Sequence, residues 1–92
     1  MITLPPTIQQ LSDILNTDLL SKSHKSDLVI LRQAIWYVMW KERTGYTLHR
    51  IAIMFEKKSH QTILHGINVF GNRLSVGDSR AVEVYERIKD LV

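Results

Sequence analysis

Apolar residues recur along this chain at helical rather than strand spacing. Ile8, Leu11, Ile14 and Leu15 form one stripe, and Thr7, just after Pro5-Pro6, can cap a short helix ending at Leu15. Asn16-Thr17 reads as a break. Residues 18–22 read as one further turn anchored by Leu19 and Leu20, and residues 21–26 as a polar loop. Ser26 can then cap the longest helix, from about Asp27 to Thr44, with Asp27 favourable in its first turn. Leu28, Ile30, Leu31, Ala34, Ile35, Tyr37, Val38 and Met39 place apolar side chains almost all round it, the pattern of a central helix. Gly45 is the expected left-handed cap at its end.

Thr47 can cap a helix over 48–55, in which Leu48, Ile51, Ala52 and Phe55 share a face. Glu56-Lys57-Lys58 is a short polar turn. Ser59 caps the next helix, whose stripe is Ile63, Leu64, Ile67 and Phe70, and residues 75–77 break it. Asp78 caps a last helix with Val82, Tyr85, Ile88 and Lys89 on or near one side. The reading is all-α, five to six helices around a long central helix. With 92 residues, it is one domain, 1–92. Leu28 to Leu31 is the only apolar run that leaves helix and strand open.

Composition removes several function classes. Cysteine is absent, so there is no disulfide framework and no thiolate metal site. No apolar run approaches the roughly 20 residues that span a membrane. The start, Met1-Ile2-Thr3-Leu4-Pro5-Pro6, lacks the basic and apolar parts of a signal peptide. A cytoplasmic protein is expected, with no membrane and no nucleotide among its partners. His60 and His65 are five residues apart, not the four that put two ligands on one helix face, so no metal site and no cofactor are expected. Ser59 and His60 are adjacent in a helix and do not face each other, and no carboxylate pair is evident; no enzyme is expected.

The net charge is only +3, but it is unevenly placed. Lys25, Arg32, Lys41, Arg43, Arg50, Lys57 and Lys58 fall in residues 23–60 against Asp27, Glu42 and Glu56, while both flanks are near neutral. A basic centre suits a polyanion, though charge alone does not separate this from a solvated surface.

The segment from about 47 to 74 carries the sharper signal. A short helix, a tight turn and a second helix make a helix-turn-helix. Ala52 is small where the two helices would cross, and Phe55 would close the corner. The second helix opens Ser59-His60-Gln61-Thr62, four hydrogen-bonding residues where a recognition helix reads base edges. Gln can pair bidentately with adenine, Ser and Thr can bond several bases, and the Thr methyl can meet a thymine methyl. Arg50, Lys57 and Lys58 lie beside this end and can hold phosphates, which a helix N-terminus also attracts. Taken alone, the pattern also fits an ordinary helical hairpin with Ser59 as its cap.

Thr47-Leu48-His49-Arg50-Ile51-Ala52, Phe55 and Ser59-His60-Gln61-Thr62-Ile63-Leu64-His65-Gly66 resemble the C-terminal DNA-binding domain (domain IV) of the bacterial replication initiator DnaA. In that family the recognition helix follows a basic residue and reads Asp-His-Thr-Thr-Val-Leu-His-Ala. Lys58, His60, Thr62, Leu64 and His65 match, and Ile63 and Gly66 are close substitutes. Asp18-Leu19-Leu20-Ser21-Lys22 and Arg32-Gln33 with Tyr37 resemble upstream parts in the right order, so the similarity covers about residues 7–74.

The resemblance implies a Trp repressor-like fold and sequence-preferring binding of double-stranded DNA, in replication initiation, its regulation or transcriptional regulation. It implies base contacts by Ser59, His60, Gln61 and Thr62 in the major groove. It implies backbone contacts by Arg32, Leu48, His49, Lys58 and His65. It also implies a minor-groove loop, here Ser23-His24-Lys25-Ser26. That loop holds no arginine, which leaves His24 and Lys25. Ser59 replaces an aspartate and Gln61 a threonine at base-reading positions, and the loop at Gly45-Tyr46 is one residue longer. A good base contact is worth about 1–3 kcal/mol of discrimination. The preferred sequence is therefore expected to differ from the family's standard box. No Gly-x-x-x-x-Gly-Lys-Ser/Thr phosphate loop occurs, so the chain itself is expected to have no ATPase activity. It is read as an excised domain or a free-standing relative, the start at Met1 favouring the second.

Trp36 and Trp40 share a face of the long helix. Core burial is expected for Trp36. Trp40, Ile53 and Met54 are surplus to the core stripes and offer a surface for self-association or a protein partner. The alternative function is thus a helical protein–protein interaction domain that keeps the fold but binds a replication or regulatory protein.

Overall fold

A computed structural model describes residues 7–20, 25–43, 45–57 and 59–92. The expectations at Lys22, His24, Thr44 and Lys58 lie outside those residues. Five helices are described: α1 (Ile8–Leu15), α2 (Ser26–Glu42), α3 (Leu48–Met54), α4 (His60–Ser75) and α5 (Ser79–Ile88). No strand occurs among the described residues, and Leu28 to Leu31 is helical.

Local hydrogen bonds set most of the boundaries. Thr7 and Gln10 form a reciprocal capping box: Thr7 Oγ1 accepts from the Gln10 N–H, and Gln10 Oε1 from the Thr7 N–H, at 3.1 and 2.8 Å. Thr47, Ser59 and Asp78 cap α3, α4 and α5. Three helices close with the paired carbonyl bonds of a Schellman motif. The Thr17, Lys57 and Asp78 N–H groups donate to Ser12, Ala52 and Arg73, and the preceding residues Asn16, Glu56 and Gly77 take positive φ. Gly77 meets that demand without strain, whereas Glu56, at φ 56°, does not.

Long α2 is the centre of the molecule and buries Ile30, Leu31, Ala34, Ile35, Trp36, Val38 and Met39. Helices α4 and α5 pack against it, and α3 packs chiefly on α4. Phe70 of α4 meets Tyr37 of α2, which in turn meets Tyr85 of α5 edge-on.

Several expectations give way to tertiary contacts. Ser26 lies inside α2, and its cap residue is Lys25, which makes no side-chain capping bond. The helix stops at Glu42, before Gly45. Arg43 turns extended, and its guanidinium donates to the carbonyls of Val92 and Lys89. The turn expected after α1 is present at residues 19–20, and residues 21–22 lie outside the described ones. Ile14 points outward, leaving Ile8, Leu11 and Leu15 as the buried stripe of α1. In α5, Ala81 and Ile88 face the core, so Val82 is turned to the surface.

Candidate nucleic-acid interface

The corner between α3 and α4 is built from backbone bonds. The Lys57 N–H closes on Ala52 O at 2.8 Å, and Glu56 N–H on Ile53 O at 3.1 Å. Phe55 is buried behind this corner with its ring edge-on to Trp36 of α2, centroids 5.6 Å apart and planes at 89°. Ala52 is also buried, as expected of a small residue at a helix crossing.

This corner leaves the start of α4 in the open. Ser59, His60, Gln61 and Thr62 are all exposed. Ser59 Oγ accepts from the Gln61 N–H at 3.1 Å. A hydroxyl has one proton left to donate after accepting that bond, so the cap and a base contact are compatible. The side chains of His60, Gln61 and Thr62 make no hydrogen bond among the described residues. One turn further on, Ile63, Gly66, Ile67 and Phe70 turn α4 into the core. The first turn therefore projects from a firmly packed helix, with positive partial charge at its free N-terminus.

Beside that turn lies an open cleft of about 200 Å³ between α2 and α4, lined by Val29, Arg32, Gln33, Trp36, Lys57, Thr62, His65 and Gly66. No acidic side chain lines it among the described residues. The structure thus brings together Arg32, Lys57, Thr62 and His65, which the sequence placed at the interface for separate reasons. The sequence reading missed Val29, Gln33 and Gly66 at this site and assigned Trp36 only to the core. A glycine inside a helical stripe was the available signal, because it costs about 1 kcal/mol relative to alanine and needs a packing reason.

Arg32 differs most from expectation. The resemblance places it among the backbone contacts, and in the structure it is only 5% exposed. Its Nε donates to the Leu19 carbonyl at 3.0 Å. Burial pulls the guanidinium below its ordinary pKa, an effect partly opposed by Asp18. This bond fastens Leu19 to α2.

The other backbone candidates divide. Lys57 is half-buried on the cleft wall and His65 is exposed at it. Leu48 is half-buried and His49 exposed at the start of α3. Arg50 is exposed but held locally, donating to the Gly45 carbonyl at 3.2 Å and standing over the Tyr46 ring at 5.5 Å. Lys25 is exposed at the start of α2, away from this cleft, on a second opening shared with Asp27, Leu28, Arg80 and Arg87. Of the surplus apolar residues, Trp40 and Ile53 are exposed, at 37% and 63%, and Met54 is half-buried.

A family model described as the bacterial DnaA protein helix-turn-helix matches residues 6–69, which takes in α1 to α3 and the first ten residues of α4. No curated protein and no solved structure matches the chain.

Proposed function

The chain belongs to the bacterial DnaA helix-turn-helix family, whose domain binds double-stranded DNA in replication initiation, and from that membership we propose a sequence-preferring reader of a short duplex site. Helix α4 enters the major groove with its first turn. Gln61 and Thr62 read base edges, with Ser59 and His60 beside them. Lys57, His65 and the start of α3 at Leu48, His49 and Arg50 hold the backbone, with Lys58 as a further phosphate contact and His24 and Lys25 as the residues proposed for the minor groove. The domain acts as a binding module without ATPase or other catalytic activity, serving initiation or its regulation.

The observation that carries this reading is the exposed polar first turn of α4, whose His60, Gln61 and Thr62 side chains make no hydrogen bond among the described residues, beside a cleft that no described acidic residue lines. Phosphate contacts position a protein on DNA, whereas base contacts specify the site. The two groups of residues therefore have different signatures. In a fluorescence-anisotropy titration at two salt concentrations, Gln61→Ala relaxes the preference for a duplex selected from a random pool. Lys57→Ala weakens all duplexes alike and lowers the salt slope by about one unit. The selected site differs from the family's standard box at the positions facing Ser59 and Gln61. Absence of binding to any duplex at low salt would sink the proposal.

A second reading rests on the exposure of Trp40 and Ile53, and makes the domain a docking module for a replication or regulatory protein or for a second copy of itself. A molar mass that rises with concentration, and that returns to monomer in Ile53→Lys, would support self-association through the exposed residue of α3.

A further inference from the structure

Glycine is the poorest helix former after proline, yet Gly66 sits in the second turn of α4, fully inside the helix. A Cβ at this position would lie 2.6 Å from both Cε3 and Cζ3 of Trp36, and 3.3 Å from Cγ of Gln33. The indole is 95% buried, its ring plane stands at 89° to that of Phe55 with centroids 5.6 Å apart, and its Nε1 has no hydrogen-bond partner among the described residues. Packing alone fixes the ring, and it touches both halves of the helix-turn-helix: Phe55 at the end of α3 and Gly66 in α4. Thr62 lies one turn before Gly66 on the same face, above the same cleft.

We propose that the Trp36–Gly66 contact is a spacer that fixes how closely the recognition helix approaches the long helix, and so where Gln61 and Thr62 meet the base edges. Both are positioning residues for sequence discrimination. The inference rests on the DNA-reading role of α4. Restoring a methyl group at 66 forces the ring edge and the helix apart, from 2.6 Å to at least the 3.4 Å at which ordinary contact begins. Hydrogen-bond distances span only about 0.5 Å, so a displacement of that size disengages base contacts. Long flexible side chains such as Lys57 follow the backbone of the duplex through the same shift. Discrimination therefore falls further than affinity.

The test compares the full chain with Gly66→Ala, Trp36→Leu and the double variant. Binding is measured to a duplex selected by the wild-type protein and to a scrambled one, and backbone amide shifts are recorded for residues 59–63. Gly66→Ala is expected to lose about tenfold in the ratio of selected to scrambled affinity, the scale of one base contact. Affinity for the scrambled duplex changes less than about twofold, and the amides of Gln61 and Thr62 move. The double variant regains most of the ratio and returns the shifts, because the smaller side chain makes room for the methyl group. Undiminished discrimination in Gly66→Ala, or losses that simply add in the double variant, would overturn the spacer. If Gly66→Ala fails to fold, a folded and discriminating double variant supports the coupling and an unfolded one refutes it. If the wild-type protein prefers no duplex, the DNA reading fails. The amide shifts then decide the spacer by themselves: displacement in the single variant and recovery in the double support it, and unchanged shifts refute it.

Discussion

Replacing Arg32 separates a structural arginine from a phosphate-binding one. Arg32→Met keeps an unbranched stem of similar length, so packing along α2 is largely retained. It removes the Nε donor that reaches Leu19 O at 3.0 Å. A hydrogen bond from a charged donor contributes about 1.5–3 kcal/mol, and the carbonyl left behind has lost a partner in a buried place. Taking about 2 kcal/mol, a domain of this size should melt roughly 8–16 °C lower, since 1 kcal/mol corresponds to about 4–8 °C. Arg32→Lys should recover little of this, because an ammonium cannot reproduce the fixed Nε geometry. Circular-dichroism melts give the stability, and anisotropy titrations well below both midpoints give the salt slope. The reasoning expects a large drop in Tm with the slope nearly unchanged. A Tm within about 2 °C of the wild type, together with a slope lowered by about one unit, would refute it and return Arg32 to the phosphate contacts.

Two further outcomes test the local chemistry. Glu56 holds positive φ at the helix-turn-helix corner, where a side chain costs about 1–2 kcal/mol and glycine nothing. After the entropy glycine adds to the unfolded chain, Glu56→Gly should raise stability by up to about 1 kcal/mol in urea unfolding; a loss of stability would count against the strain. Tyr85 donates its hydroxyl proton to Glu42, and this bond, with burial and neighbouring negative charge adding, pushes the phenol up to about 12 from its usual 10. The bond needs the protonated phenol, so its stabilisation is complete below pH 10 and is lost as the pH rises through 10 to 12. The stability gap between wild type and Tyr85→Phe should close across that window. Phenolate absorbance should show a titration at about 12 that Tyr85→Phe removes, and an unchanged titration curve in that variant would contradict the pairing.

What the sequence determined by itself was the local part. The caps at Thr7, Thr47, Ser59 and Asp78 each bond to a backbone N–H two or three residues on, so residue type and position announce them. The stripe of α3, that of α4 apart from half-buried Leu64, the burial of α2 and the polar start of α4 follow from helical periodicity in the same way, and with them the helix-turn-helix. Tertiary structure decided whatever depends on residues far apart in the chain. Arg43 ends α2 early because carbonyls of Lys89 and Val92 wait for it, and Arg32 is drawn inward by Leu19. Ile14 and Val82 fit their helical stripes yet face out, since neighbouring elements choose which part of an apolar arc is covered. The fit of Trp36 over Gly66 belongs to the same class: periodicity can mark both positions as buried, but only the docking of α4 on α2 reveals that one fills the space the other leaves.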